Sequence, residues 1–174
     1  PDAAFRPWAH HRARRNRKED TMNRILIATD GSPSALQAIE VGLDLAEEEG
    51  SEAIFVHVAP AKDVLPVMGG FGMATPVSTP HELGEADRAC LDDAVRIAEE
   101  LGLEAKTKLL AGDPAKEIVA YADSVDADLV VVGSHGYGAI SGALLGSVSR
   151  GILHRTTRPV LIVRQVPQRV EALA

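Results

Sequence analysis

Short apolar runs alternate with amphipathic stretches along most of this 174-residue chain. Five runs are typical of strands: RILIATD from Arg24, EAIFVHVAP from Glu52, LEAKTKLLAG from Leu103, ADLVVVG from Ala127 and RPVLIVRQ from Arg158. A parallel strand pair needs a crossover of a dozen or more residues, which a helix usually provides. The alternation therefore predicts an α/β fold: a Rossmann-like, open, five-stranded parallel sheet with helices on both faces.

The first predicted helix has clear signals at both ends. Ser32 is a good N-cap, Pro33 suits the first helical position, and Gly50 is a plausible C-cap. Apolar residues recur inside it at steps of three and four, which predicts one stripe facing the core. That stripe consists of Leu36, Ile39, Leu43 and Ala46.

Three further helices are predicted. A Gly- and Pro-rich connection without clear periodicity, residues 61–83, separates the second strand from the second helix, and connections of that length are usually functional lids or mobile segments. The second helix follows from about Glu82 to Leu101. The third opens with Asp113 as its N-cap and Pro114 behind it, and a short fourth helix starts at about Gly146.

Composition limits the compartment and the partners. The chain has one cysteine, Cys90, which excludes an internal disulfide, so we expect a reducing, cytoplasmic location. Cys90 lies in a helical stretch, and we interpret it as a small buried apolar residue and not as a reactive thiol. No run of about 18 apolar residues exists, so we expect no membrane-spanning helix.

The charge changes sharply after residue 21. Residues 1–21 carry six basic and three acidic side chains, whereas residues 22–174 carry twelve and twenty-two. We expect residues 1–21 to be an extension, either upstream sequence or a product of cloning, that is disordered if exposed. Residues 22–174 are predicted to form one domain. A basic arm for nucleic acid is the alternative, but the acidic body would repel phosphate backbones, so we expect no such partner.

The segment GSHGYGAISGALLGS follows the fourth predicted strand and holds five glycines from Gly133 to Gly146. Ligands of open parallel sheets bind beyond the carboxyl ends of the strands, and a helix N-terminus there suits phosphate. Glycine lets the backbone approach an anion without a Cβ atom. A tight turn is the alternative, although it would need only one or two glycines. The segment favours an anion or nucleotide site, but it matches neither the Walker pattern nor a complete dinucleotide fingerprint.

The spacing G-x2-G-x9-G-S, from Gly133 to Ser147, resembles the ATP-binding signature of the universal stress protein family. The resemblance extends over residues 24–164, where RILIATDGS, FVHV, GDPAKEIVAYA, ADLVVVGSHG and RPVLIV follow in the expected order. It implies a sheet in the order 3-2-1-4-5, which places Asp30 beside Gly133 across the ligand crevice.

The resemblance also implies an adenine nucleotide: ATP, or else AMP or cyclic AMP. Mg²⁺ would be held mainly by the phosphates of ATP, with no metal held by the protein alone. The residues that would surround adenine and ribose are Ala28, Thr29, Asp30 and Val58. Those that would wrap ribose and phosphates are Gly133, Ser134, Gly136, Gly146, Ser147, Val148 and Ser149, and the predicted nucleotide-binding set also includes Val132 and His135. Ser147 and Ser149 are expected to donate hydroxyl groups.

Some residues near this site keep a second interpretation. Asp30 either accepts hydrogen bonds from ribose hydroxyls or only stabilises the turn into the first helix. His135 contacts phosphate or solvent, and Arg150 neutralises phosphate or faces water. His57 lies inside an apolar strand, so we interpret it as a packed or hydrogen-bonded residue and not as a ligand-binding one.

Three functions are compatible with these features. The first is a nucleotide-binding, regulatory dimer of the stress response. The second is a nucleotide-free interaction dimer, against which the intact glycine signature argues. The third is a slow ATPase or autophosphorylating protein, for which one arginine, no lysine and no evident base offer little. The apolar last strand lies at the edge of the implied sheet and invites a second copy, as the resemblance also implies. Its predicted interface residues are Val160, Leu161, Ile162 and Val163.

Overall fold

The structure is a computed structural model that describes residues 22–60, 84–136 and 145–165, together with the backbone of residues 66–68 and 74–76. The predicted extension at residues 1–21 and most of the 61–83 connection lie outside the described residues. The elements are β1 (Arg24–Ala28), α1 (Pro33–Glu49), β2 (Glu52–Pro60), β3 (Pro66–Met68), β4 (Ala74–Pro76), α2 (Glu85–Glu100), β5 (Ala105–Gly112), α3 (Pro114–Ser124), β6 (Leu129–Gly133), α4 (Ser147–Arg155) and β7 (Val160–Val163).

Five strands form one parallel sheet in the order β5-β2-β1-β6-β7. Among the five predicted strands this is the order 3-2-1-4-5, so the predicted fold class and strand order are confirmed. β1 is the central strand, and its last residue, Ala28, lies opposite Val56 of β2 and Val132 of β6. Because the strand order reverses between β1 and β6, a crevice opens beyond their carboxyl ends.

The sheet has a packed layer on each face. Side chains alternate along β1, so Ile25 and Ile27 pack against α1 and α2, whereas Leu26 and Ala28 pack on the side of α3 and α4. Every residue of β6 is buried, in agreement with its continuous apolar run, which is typical of a parallel strand covered on both faces.

The predicted helix caps are confirmed. The Ser32 side chain accepts a hydrogen bond from the Ala35 N–H at the start of α1, and Gly50 ends that helix in a left-handed conformation with φ 67°. Asp113 Oδ1 accepts from the Lys116 N–H at 2.8 Å and caps α3. These signals are local, which is why they can be read from a short stretch of sequence.

The predicted apolar stripe of α1 is wrong at Leu36, whose side chain is exposed. A Cβ atom at Gly42 would lie 2.6 Å from Ile27 Cδ1, so α1 approaches β1 closely. The buried face of the helix therefore combines small residues with Ile39 and Leu43, and this orientation turns Leu36 outward. The buried residues of α1 are Ser34, Ala35, Ala38, Ile39, Gly42, Leu43 and Ala46.

A short antiparallel pair, β3 with β4, lies inside the 61–83 connection, with Met68 opposite Ala74. The sequence did not predict it, because strands of three residues leave no periodic pattern. The next helix, α2, begins at Glu85 and not at Glu82.

The last strand, β7, lies at one edge of the sheet, as predicted. Val160, Leu161 and Ile162 are partly exposed there, and Val163 is buried. Pairing of this edge with a second copy stays a prediction. Within the described ranges, no helix is both long enough and apolar enough to cross a membrane.

Candidate functional site

A cavity of about 430 Å³ opens at the carboxyl ends of β1, β2 and β6, where the strand order reverses. The starts of α3 and α4 complete its wall. This position and volume are typical of small-molecule sites in α/β proteins. The lining residues are Ala28, Thr29, Asp30, Ala35, Val56, His57, Val58, Pro114, Ile118, Val132, Gly133, His135, Gly136, Leu145, Gly146, Ser147, Val148, Ser149 and Arg150.

The structure brings together all but one of the residues predicted to bind nucleotide. The exception is Ser134, which lies behind the cavity wall and is 2% exposed. Its N–H donates to the Val163 carbonyl at 2.7 Å, and its own carbonyl accepts from the Gly146 N–H at 2.7 Å. Ser134 thus connects the loop to β7 and to the start of α4. Two glycines of the segment, Gly138 and Gly142, lie outside the described residues.

Sequence reasoning did not assign several lining residues to the site. Pro114 and Ile118 belong to α3, which starts directly after β5. In a parallel sheet all strands end at the same edge, so the β5–α3 turn could have been included on that ground. Val56 and Val58 lie two positions apart on β2, and the strand period of two could have linked them.

Two of the signature glycines, Gly133 and Gly146, lie close to the protein's own backbone. A Cβ atom at Gly133 would lie 2.7 Å from Ser34 Oγ and 2.9 Å from the Ala35 backbone nitrogen. At Gly146 it would lie 3.2 Å from the Ser134 carbonyl oxygen. Neither glycine has a positive φ. Residues 133–136 are therefore packed tightly against the first turn of α1, and Gly133 and Gly146 are not placed there for a positive φ.

The first turn of α4 opens into the cavity without a side-chain cap. Its N-cap is Gly146, which has no side chain to accept a hydrogen bond. Among the described residues, no acceptor contacts the N–H groups of Ser147, Val148 and Ser149, whereas Ser32 and Asp113 cap the first turns of α1 and α3. These three N–H groups and the positive end of the helix dipole therefore face the cavity, an arrangement that suits an anion.

The serine hydroxyls near α4 have different roles. Ser149 Oγ donates to the Gly133 carbonyl at 2.8 Å, and its residue is 2% exposed. That hydroxyl holds the loop in place, so the Ser149 group that faces the cavity is its N–H. Ser147 is exposed at the cavity mouth. Arg150 lies one turn further along, where its Nη2 donates to the Leu145 carbonyl at 3.3 Å from an exposed position.

Asp30 stabilises a turn and also lines the cavity. Its Oδ1 accepts from the Ser32 N–H at 3.0 Å, which stabilises the turn into α1. The carboxylate also lines the cavity, and its Oδ2 lies against Gly136 of the loop. In the part of the chain that the structure describes, no group of three His, Cys, Asp or Glu side chains is placed to hold a metal ion.

The backbone of Val58 faces the cavity where β1 has ended. The Val56 carbonyl accepts from the Thr29 N–H at 2.9 Å, so Val56 directs its backbone groups toward β1. In a parallel ladder every second residue bonds to the same neighbour, and Val58 is the next residue of that series. β1 stops at Ala28. The Val58 N–H and C=O therefore point toward the space beyond the strand.

His57 lines the cavity and is a hydrogen-bonded residue, as interpreted from the sequence. Its Nδ1 lies 2.8 Å from the Thr29 carbonyl oxygen and its Nε2 3.3 Å from Asp87 Oδ1 of α2. Cys90, one turn further along α2, is partly buried. Burial raises the pKa of its thiol, and the nearby carboxylates of Asp30 and Asp87 raise it further. A thiol held in its neutral form agrees with the expected unreactive role.

Comparison with known proteins supports this fold. The model of the universal stress protein family matches residues 21–164. The chain belongs to the universal stress protein family. This universal stress protein is similar to universal stress protein MJ0531 of Methanocaldococcus jannaschii. The two sequences are 33% identical over 147 residues, and the match covers 84% of this chain and 85% of that protein.

Solved universal stress proteins share the fold. One in complex with cAMP is 28% identical, with a TM-score of 0.60, and the match covers 82% of this chain and 97% of that chain. Another, from Archaeoglobus fulgidus in complex with dAMP, is 24% identical with a TM-score of 0.57, and the match covers 82% and 97% of the two chains. At that lower identity the similarity concerns the fold alone.

Proposed function

We propose that this universal stress protein binds an adenine nucleotide in the cavity and acts as a regulatory dimer of the stress response. The observation that carries the proposal is the uncapped first turn of α4, which opens into the cavity opposite Asp30. Backbone N–H groups at a helix N-terminus bind phosphate without any cationic side chain. ATP, AMP and cyclic AMP are the candidate ligands, with Mg²⁺ accompanying ATP through its phosphates.

The other end of the cavity suits a base and a ribose. Its wall is apolar, formed by side chains such as Ala28, Val58, Ile118 and Val132. The Val58 N–H and C=O offer one donor and one acceptor side by side, which fits the N1 acceptor and N6 donor of adenine. Asp30 lines the same cavity, where a carboxylate can accept hydrogen bonds from ribose hydroxyls.

The related protein in complex with cAMP supports an adenine nucleotide as the ligand class. Efficient phosphoryl transfer has less support. It relies on cations that clamp the transferred group and on a residue that orients the nucleophile. Among the described lining residues the only arginine or lysine is Arg150, which is exposed and directed at the Leu145 carbonyl. A binding role therefore fits the cavity better than rapid turnover.

The dimer is proposed from the position of β7 at the edge of the sheet. An apolar strand at a sheet edge presents unpaired N–H and C=O groups to another chain. Ser134 links this edge to the cavity loop through its hydrogen bond to the Val163 carbonyl. Occupancy of the cavity can thus influence the edge through one short connection. A cytoplasmic location fits the single cysteine, which has no disulfide partner.

Calorimetric titration tests the binding proposal directly. We expect ATP, AMP and cyclic AMP to bind, with GTP as the matched control for the base and adenosine for the phosphate. A ligand at 100 times its dissociation constant should stabilise the fold by about 2.7 kcal/mol, which a thermal melt detects. Absence of heat and of a melting shift with every adenine nucleotide would favour the nucleotide-free interaction dimer. Mass spectrometry of the purified protein would identify any bound small molecule.

A further inference from the structure

The imidazole of His57 takes the place of a sheet hydrogen bond at the point where β1 leaves the sheet. The Thr29 N–H still donates to the Val56 carbonyl of β2 at 2.9 Å. The Thr29 carbonyl, however, accepts from His57 Nδ1 at 2.8 Å and not from a backbone amide of β2. This carbonyl shares a planar peptide group with the Asp30 nitrogen, so the ring fixes the direction in which Asp30 leaves the strand.

The second ring nitrogen faces a carboxylate on another element. A carbonyl oxygen can only accept, so Nδ1 of His57 carries a hydrogen. Nε2 lies 3.3 Å from Asp87 Oδ1, where the side chains of the two residues are 9% and 16% exposed. Shielding from water strengthens such a contact. Asp87 Oδ2 in turn accepts from the Gly84 N–H at 2.9 Å, so the same carboxylate holds the start of α2.

We propose that His57 is a positioning residue that holds the Thr29–Asp30 peptide at the cavity edge and couples it, through Asp87, to the first turn of α2. The inference rests on the proposed function, because the cavity edge matters only if a nucleotide binds there. The coupled element is specific: Gly84 follows the 61–83 connection directly. Nucleotide bound against Asp30 therefore stabilises the first turn of α2 through three successive contacts, from Thr29 to His57, from His57 to Asp87 and from Asp87 to Gly84.

Two substitutions at position 57 separate the two bonds. The amide nitrogen of asparagine occupies about the place of Nδ1, so His57→Asn keeps the bond to Thr29 and loses the contact with Asp87. His57→Leu loses both. We expect His57→Asn to bind adenine nucleotide within about threefold of wild type. We expect His57→Leu to bind it about tenfold more weakly than wild type, because one buried hydrogen bond is lost. Rescue by asparagine distinguishes positioning from simple filling of space. Equal affinity of wild type and His57→Leu would overturn the inference.

Hydrogen exchange measures the coupling itself. In wild type we expect nucleotide to slow exchange of the amides of residues 84–88, and we expect no such slowing in His57→Asn at saturating nucleotide. Equal slowing in both proteins would overturn the coupling through Asp87. Asp87→Ala, which leaves His57 intact and removes its partner, should likewise show no such slowing at saturating nucleotide.

A measurement without ligand keeps the inference independent of the proposed function. In the free protein the ring of His57 should show a protonated Nδ1, and its Nε2 nitrogen resonance should move on Asp87→Asn while Nδ1 stays protonated. Free His57→Asn should also exchange residues 84–88 faster than wild type. A His57 ring that is insensitive to Asp87→Asn would overturn the inference. Absence of nucleotide binding by wild type would instead overturn the proposed function, and these ligand-free results would still decide whether His57 contacts both Thr29 and Asp87.

Discussion

Gly136 contacts the Asp30 carboxylate so closely that a Cβ atom at position 136 would overlap Asp30 Oδ2. Gly136, the second glycine of the signature, thus leaves room for the Asp30 side chain, which also lines the cavity. We expect Gly136→Ala to displace this carboxylate and to weaken binding of adenine nucleotides about tenfold, since charge-assisted hydrogen bonds contribute about 1.5–3 kcal/mol. Calorimetric titration of wild type and variant with AMP measures the effect.

A double-mutant cycle provides the control for that prediction. Asp30→Ala removes the side chain that the new methyl group would strike. In that background Gly136→Ala should weaken binding by less than about twofold, although each single variant is impaired. Additive losses would show that Gly136 acts on the nucleotide in some other way.

Ser147 allows a direct test of whether the backbone N–H groups in the first turn of α4 bind phosphate. It occupies the first helical position, where proline is tolerated, and the preceding Gly146 has ψ 165°, a conformation that a following proline accepts. Ser147→Pro therefore removes one N–H from the cavity with little cost to the helix. We expect its affinity for AMP to fall about tenfold or more, since an amide that donates to phosphate contributes about 1.5–3 kcal/mol.

Ser147→Ala and adenosine serve as matched controls for this experiment. The alanine variant loses only the hydroxyl and should bind AMP within about threefold of wild type. Adenosine has no phosphate and should bind wild type and Ser147→Pro equally. A similar loss for adenosine would place the defect in the general shape of the cavity and contradict the phosphate role of α4.

The parts of the fold that were predictable are those encoded by neighbouring residues. Ser32, Gly50 and Asp113 act through hydrogen bonds to residues within a few positions, so their roles follow from short stretches of sequence. The prediction that Leu36 faces the core was wrong because the orientation of α1 depends on its close approach to β1, where Gly42 packs against Ile27. Such a contact joins positions far apart in the chain, and periodicity alone does not contain it.

In the candidate site, too, some features were predictable from the sequence and others depended on contacts between distant positions. Its location followed from the parallel topology and the glycine spacing, which are properties of the chain order. The structural reason for glycine at position 133 could not be predicted, because it depends on the backbone of Ser34 and Ala35, which belong to a different element. The bond from His57 to the Thr29 carbonyl was equally hidden, since it depends on β1 ending at Ala28, opposite Val56, while β2 continues to Pro60.

Glu52 predicts a pH dependence of stability. Lys106 is the main cause that lowers the pKa of this carboxyl below its ordinary value of 4.5, with Arg24 adding to it, while partial burial works in the opposite direction. A carboxyl with a lowered pKa in the folded state stabilises the protein above its unfolded pKa, and this contribution is lost as the pH falls through the folded pKa.

We therefore expect Glu52→Gln to be less stable than wild type at neutral pH, by no more than about 1 kcal/mol because the ion pairs are exposed. The gap should close as the pH falls below 4.5 and through the lower folded pKa. Urea unfolding at several pH values measures the difference, with Glu100→Gln as a comparison, since its ion pair with Arg96 lies within one exposed helix. A gap that stays constant under acid conditions would contradict the ionic origin of the effect.

Ile162 lies within β7 at the sheet edge and is the residue at which the proposed dimer can be tested. A lysine there places a charge at the edge, where a second copy would have to bury it, and edge lysines are a common means of preventing strand pairing. We expect Ile162→Lys to sediment as a monomer at concentrations at which wild type is dimeric. Thr107→Lys provides the control, because it introduces the same charge on the exposed opposite edge strand, β5, and should leave the dimer intact. A melting curve for each variant verifies folding, and an unchanged sedimentation profile for folded Ile162→Lys would exclude β7 as the interface.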